Sequence, residues 1–364
     1  MNKRIALIGL LFFLTQACTE SSPGEEDEGG TTTPPVEVDL YDFDAAAPWF
    51  ECPTGNFPAE ATAVPALNQV YQRFGTENTR DVQSNVSFPE TGDWGQIGML
   101  VKLECPESGL CDHWDRAASV QLITNPDAAP EDYERVELAR FITPYKIEMC
   151  QYVDVTAMAP LLQGNKAVTS WIDTWVGEGH AQGEGWRTTV SFVFYPGSDL
   201  RPKEIVNVWS RRNITVGEIE PESNVDAQIE PFTFTLPDVQ LRKVEAHLIT
   251  TGHSFGNSLN CAEFCQMQHD IVVNGETYSI NPWRGDCEQN PVSPQYGTWE
   301  YGRNGWCPGA ITIGDRVDIT RDVQAGENTL DFDILLANGL EYDNTSPVEL
   351  LPYSIVSLKL YVWY

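Results

Sequence analysis

The chain has 364 residues, enough for two ordinary domains or one large β domain, and its 53 acidic against 22 basic residues give a formal net charge of -31. Such a field repels polyanions and argues against nucleic acid or anionic membrane surfaces as partners. Eleven Trp, thirteen Tyr and fifteen Phe bring the aromatic share to 11%, too rich for a disordered chain. These rings can fill a core or stack on sugars.

The first segment sets the compartment. "MNKR" is a basic start, and Ile5 to Leu14 is an apolar run too short to span a bilayer stably. With "TQAC" following, residues 1–18 read as a lipoprotein-type signal peptide whose Cys18 becomes the lipidated first residue. Gln16 is larger than that pattern expects, and an ordinary secretory signal is the other reading. Either way the protein is exported: a bacterial lipoprotein of the outer membrane or cell surface, or a secreted protein. Membrane contact is expected only through the lipid on Cys18. Residues 19–61 form an acidic tether and N-terminal extension, the tether being rich in Gly and Pro and unable to bury apolar surface.

Nine Cys less Cys18 leave eight, which in an exported chain read as four disulfides. Cys105 with Cys111 and Cys261 with Cys265 are local candidates, since their spacing permits the Cα separation of roughly 4.4–6.8 Å that the bond needs. Cys287 and Cys307 close a longer loop, and elimination leaves Cys52 for Cys150.

Along the chain, "VPALNQVYQRF" (64–74) and "VTAMAPLLQG" (155–164) each read as a short helix or a turn. Strand patterning dominates the rest. Val190, Phe192 and Phe194 alternate with neighbours in "TVSFVFYPG"; Phe232, Phe234 and Leu236 do so in "FTFTLP". Leu330, Phe332 and Ile334 follow, then Val356, Leu358, Leu360 and Val362 at the C-terminus. Each set lines one strand face and offers it to a core. Asn274-Gly275 between two β-rich runs is a hairpin signal. Many short strands separated by Gly and Pro indicate sandwiches rather than a parallel sheet. "YPGSDLRPKE" (195–204) marks a boundary between an N-terminal domain, 62–198, and a C-terminal domain, 203–364.

"LNCAEFCQMQHD" (259–270) admits three chemistries. Zinc would recruit Cys261, Cys265 and His269, but no second ligand pair accompanies them, and a redox motif needs C-x-x-C. A disulfide loop fits best, and it would fix the backbone of Glu263. In "ECPESGLCDHWDRAA", Cys105 and Cys111 precede Trp114, Asp115 and Arg116, a surface ion pair or a site. Asp173 lies between Trp171 and Trp175, as a sugar cleft or an aromatic core would place it.

Together "CDHWDRAASV", "ARFITPY", "IDTW", "CAEFCQMQH" and "GRNGWCPG" resemble the peptide:N-glycosidase F family, the peptide-N4-(N-acetyl-β-glucosaminyl)asparagine amidases. The resemblance runs in order from about residue 65 to the C-terminus. It implies an all-β fold of two antiparallel jelly-roll sandwiches packed side by side. The implied activity is metal-independent hydrolysis of the amide joining an N-linked glycan to asparagine, on a glycopeptide or glycoprotein, by a monomer without cofactor. The implied catalytic carboxylates are Asp115, Glu263 and Asp173. Arg116, Arg303, Trp175 and the Ile142 backbone map onto substrate-binding positions, and Trp114 and Trp306 remain as further cleft aromatics. Two positions depart: Asp173 stands where the family has Glu, and Thr251 where it has Trp, removing one expected cleft wall. A glycan-binding surface lipoprotein without catalysis is the alternative from another class. A copper oxygenase on paired jelly rolls would need clustered His and Met, and only Met267 and His269 lie close together.

Overall fold

The computed structural model describes residues 49–364 except 55, 91, 199–200, 218–224, 254–261 and 341–350. The signal peptide, Cys18 and the tether lie outside the described residues. The described residues belong to one compact unit.

The fold is all-β. One four-stranded antiparallel sheet runs Thr62–Gln72, Trp186–Pro196, Trp94–Glu104, Met149–Asp154. It faces a five-stranded sheet in the order Ala310–Thr312, Arg135–Ile142, Ala117–Ile123, Gly164–Ile172, Asp81–Phe88. In the second half, Asp315–Asp318, Lys243–His253, Tyr353–Trp363 and Glu204–Thr215 face Phe232–Leu236, Gly326–Leu336, Met267–Val273 and Glu276–Ile280. The three short strands Trp283–Arg284, Arg303–Asn304 and Ala310–Thr312 interrupt this half. With these set aside, and strands counted within each half, both halves pair them 1-8-3-6 against 2-7-4-5. That is the jelly-roll order, two Greek keys folded into facing sheets. The repeat is one of topology, without a matching repeat of sequence.

Each sandwich has its own core. Val101, Phe192 and Phe194 meet Val120, Phe141 and Val168 in the first, and Leu248, Val356 and Leu358 meet Ile271, Leu330 and Phe332 in the second. Burying each such side chain contributes about 1.5–3 kcal/mol. The expected alternation is present, but several strands are buried on both faces. Ser357, Lys359 and Tyr361 are as buried as Val356, Leu358 and Leu360, because the other sandwich covers their side. Val193 and Tyr195, on the outward face, are buried under Cys52, Phe57 and Ala61 of the N-terminal extension.

Residues 64–74 are not a helix or a turn: Thr62–Gln72 is a strand. Register shifts at Pro65/Leu67 and Leu67/Val70, with Gln69 at φ 54°, break the period of two and disguise it in the sequence. Thr156–Met158 is a single 3₁₀ turn. Asn274 and Gly275, at φ 50° and 93°, make the hairpin between Met267–Val273 and Glu276–Ile280. The disulfides Cys52–Cys150, Cys105–Cys111 and Cys287–Cys307 are formed, with Cα separations of 5.6, 4.5 and 5.3 Å. Cys265 is disulfide-bonded, while Cys261 lies outside the described residues.

The halves are joined through polar groups. Ala310–Thr312, from the C-terminal half, adds to the sheet edge of Arg135–Ile142. Arg140 is fully buried, with Nε and Nη2 donating to Glu137 at 2.6 and 2.8 Å and Nη1 to Ile355 O at 3.0 Å. Lys359 Nζ donates to Glu137 O at 2.7 Å. Burial raises the Lys359 penalty for charge and brings its pKa down to about 8, against the opposing attraction of Glu137. Buried charges of this kind are tolerated only when fully bonded.

Candidate active site

A cleft of about 510 Å³ opens beside this junction, lined by residues from both halves. Asp115 stands in the turn before Ala117–Ile123, and Asp173 directly follows Gly164–Ile172. These strand ends are neighbours, since Asp173 N–H donates to Ala117 O at 2.9 Å. Glu263 comes from the loop between Lys243–His253 and Met267–Val273. That loop packs on Gly252 so closely that a Cβ there would meet Ala262 O at 1.6 Å, and Ala262 itself takes φ 95°. Glycine at 252 is therefore a steric requirement for placing Glu263. The loop is fixed further by Asn304 N–H donating to Glu263 O at 2.9 Å.

Asp115 and Glu263 converge on one cation. Arg303 Nη2 lies 3.6 Å from Asp115 Oδ2, and Arg303 Nε lies 3.2 Å from Glu263 Oε1. The Arg303 side chain is fully buried, stacked over Trp306 at 4.7 Å, with Nη1 donating to Thr298 O and Tyr301 O at 3.0 and 2.7 Å. Nη2 also donates to Thr298 Oγ1 at 2.8 Å. Arg303 thus lies beneath the carboxylates, its donors spent on protein. Burial pushes the Asp115 carboxyl above its ordinary value, while Arg303 and a hydrogen bond from Tyr145 pull it back. Burial and then the Asp115 charge push the Tyr145 hydroxyl up, so it remains a donor to that carboxylate.

Arg116 lines the cleft and is braced from behind by buried Asp112, Nε to Oδ2 at 2.8 Å. Asp112 also accepts from Thr174 Oγ1 at 2.7 Å and from Trp114 N–H at 3.1 Å. Trp114 and Trp175, 43% and 51% exposed, are the open aromatic surfaces. Trp306 also lines the cleft but is buried to 2%, its Nε1 donating to Gly252 O at 2.7 Å. Ile142 is buried in the sheet, packed with Ala117, Trp306 and Ile355, and its carbonyl accepts from Gly309 N–H at 2.9 Å. Asp173 does not join the Arg303 group; its carboxylate pairs with Arg80 at 3.2 Å.

Thr251 is fully buried and forms no part of the cleft lining. Its hydroxyl accepts from Arg140 Nη1 at 3.0 Å and bonds His253 Nε2 at 3.0 Å. His253 in turn stacks on Trp306 and Tyr353 at 5.4 and 5.1 Å. Burial, with Arg140 and Arg303 nearby, lowers its pKa to about 3, so it is neutral. His269 is buried in the second core beside Phe332, both ring nitrogens without a hydrogen bond among the described residues.

The sequence assigns no individual role to Asp112, Tyr145, Gln182, Tyr353 or Arg80. Only Asp112 carries a local signal, four residues before Arg116 beside a cysteine. Tyr145 sits in the "ITPY" stretch, and Tyr353 reaches the cleft through the pairing of the C-terminal strand.

Comparison with known proteins shows what the chain is similar to. The profile described as "Peptide-N-glycosidase F, C terminal" matches residues 221–349. Peptide-N(4)-(N-acetyl-beta-D-glucosaminyl)asparagine amidase F of Elizabethkingia miricola is 27% identical over 288 residues, 74% of this chain and 77% of that one. The solved structure of PNGase F, a glycosylasparaginase from Flavobacterium meningosepticum, superposes with a TM-score of 0.67 at 22% identity, covering 83% of this chain and 96% of that one. The chain is thus similar in sequence and in fold to proteins of the peptide:N-glycosidase F family. The PNGF-II structure is also similar, with a TM-score of 0.64 at 19% identity, covering 83% of this chain and 66% of that longer one. These likenesses to solved structures fix the fold: two β-sandwiches of the peptide:N-glycosidase F type.

Proposed function

We propose that this protein hydrolyses the amide between an N-linked glycan and asparagine, releasing a glycosylamine and leaving aspartate in the peptide. The observation that carries this reading is the convergence of Asp115 and Glu263, one from each half, on buried Arg303 at the base of a cleft with two open indoles. Amide hydrolysis needs a base for the attacking water, relief of charge on the carbonyl oxygen and a proton for the departing amine.

Asp115 takes the water proton. The field of Arg303 and the Tyr145 hydrogen bond keep its charged form accessible in spite of burial. Water oxygen bonds to the amide carbon, and the carbonyl oxygen becomes an oxyanion facing Arg116, the cation that lines the cleft. Glu263 orders the water or relays the proton to nitrogen as the C–N bond breaks. Arg303 acts through the two carboxylates it holds. Trp114 and Trp175 stack on sugar, since an indole face suits the C–H face of a pyranose. Asp173 stands on a separate arginine and takes no part in these steps. No step requires a metal.

The disulfides fit an oxidising compartment. We infer an exported monomer, tethered by lipid on Cys18.

The test is mass spectrometry of an N-glycopeptide incubated with the mature chain in ¹⁸O water, with and without chelator. The expected products are free glycan and a peptide whose asparagine has become aspartate carrying one ¹⁸O, unaffected by chelator. Bound but intact glycopeptide would instead support a glycan-binding protein without turnover.

A further inference from the structure

Two residues that line the cleft, Asp173 and Trp175, share a cation that stands behind them, Arg80. Arg80 immediately precedes Asp81–Phe88, and its backbone is held because its carbonyl accepts from Ile172 N–H and Gln72 Nε2, both at 2.9 Å. Its guanidinium is held at two corners: Nε donates to Asn78 Oδ1 at 3.2 Å and Nη1 to Asp173 Oδ1 at 3.2 Å. The group lies over Trp175 at 4.5 Å and over Phe74 at 5.1 Å, and those two rings are 5.2 Å apart. Trp175 therefore has a cation and a phenyl ring packed against it while half of its surface stays open to the cleft.

An exposed tryptophan loses side-chain freedom when a ligand stacks on it, and that loss subtracts from affinity. A guanidinium fixed behind the indole removes the loss in advance. Only a planar fork can lie flat on a ring and still bond two acceptors at its edge, so lysine is no substitute. The shorter Asp173 side chain suits this task, because the cation is brought to the carboxylate rather than the carboxylate extended into the cleft. Asp115 and Glu263 share Arg303; Asp173 has a different cation and a different neighbour.

We propose that Asp173 and Arg80 are positioning residues that fix Trp175 as a specificity-determining surface of the cleft. Asp173 and Asn78 hold the guanidinium behind the indole, and the open indole face stacks on a pyranose of the glycan. This rests on the amidase reading for its kinetic readout, but its binding readout stands alone.

The experiment compares wild type, Asp173→Asn, Arg80→Lys, Arg80→Ala and the Asp173→Asn/Arg80→Ala double variant. KM and kcat are measured on an N-glycopeptide, and Kd by tryptophan fluorescence quenching with the same glycopeptide in an Asp115→Asn background. Each single change is expected to raise KM and Kd roughly three- to tenfold with kcat within about twofold of wild type. The double variant should be no worse than Arg80→Ala alone, the non-additivity of two parts of one unit. A hundredfold fall in kcat for Asp173→Asn at unchanged KM would overturn the proposal and return Asp173 to the chemistry. Unchanged Kd for Arg80→Ala would overturn it too, whether or not the wild type cleaves. Binding that weakens in Arg80→Ala while the wild type leaves glycopeptide intact would support the positioning of Trp175 and reject the amidase reading.

Discussion

Arg140 and Arg303 are both arginines without exposed surface at the junction of the two sandwiches: Arg140 pairs with Glu137 of its own strand, and Arg303 with Asp115 and Glu263, one from each half. They differ in what lies beyond those partners. Glu137, the counter-ion of Arg140, is itself fully buried, and the network closes on Thr251, Ile355 O and Ser357. The side chains of Asp115 and Glu263 keep 15% and 11% exposure toward the cleft. A closed network has no vacancy for a ligand and fastens strands together. An open one leaves carboxylate oxygens in a strong field where a water and an amide can reach them. Burial and charge alone do not separate a structural arginine from a functional one; the far side of the counter-ion does.

The sharpest way to break this comparison is at the open end. Asp115→Asn is expected to lower kcat by about 10²–10⁴-fold, the usual contribution of a general base, with thermal unfolding unchanged. A variant of wild-type rate would remove Asp115 from the chemistry. The closed end should answer in stability instead. Arg140→Met strands the buried Glu137 charge and is expected to cost about 3–5 kcal/mol in denaturant unfolding. Adding Glu137→Leu should recover part of that loss, because it removes the unpaired charge. Failure to recover any would mean that the lost contacts to Thr251, Ser357 and Ile355, rather than the stranded Glu137 charge, account for the cost.

The pH dependence separates the two ends more finely. Burial lifts the Asp115 carboxyl, so the acid limb of kcat/KM should lie above pH 3.8. Arg303→Gln takes away an opposing charge and should move the limb higher still in the residual activity. A limb that stays in place would show that Arg303 does not act through Asp115.

A last effect belongs to His269, remote from both. Burial depresses its pKa from 6.5 to about 3, so the native state keeps it neutral. Between those values the unfolded chain binds a proton that the native state refuses. Its contribution to stability is therefore lost as pH falls from 6.5 toward 3, by up to about 1.4 kcal/mol per pH unit. His269→Leu should flatten the loss measured by denaturant unfolding at pH 7 and pH 4. An unchanged slope would assign the acid sensitivity elsewhere.

What the sequence determined was local or carried by ordered motifs. Alternating apolar residues required strands, because period two puts i and i+2 on one face. Asn274-Gly275 required a tight hairpin, because both residues accept positive φ. Cysteine spacing pointed to the short Cys105–Cys111 loop beside Asp115. The series of motifs brought the family resemblance and the candidate carboxylates into view together. The strand at Thr62–Gln72 was illegible because its bulges erase the period.

The tertiary structure decided how the acids are grouped. Arg80 is separated from Asp173 by 93 positions, and only the pairing of Asp81–Phe88 with Gly164–Ile172 brings their strand ends side by side. Arg303 meets Asp115 because the two sandwiches close on one another, and Thr251 lies under the cleft because its strand pairs across its length with Tyr353–Trp363. Which arginine neutralises which carboxylate depends on distances of a few ångströms between segments far apart in the chain. Coulomb energy falls with distance in space, and residue order carries no such distance.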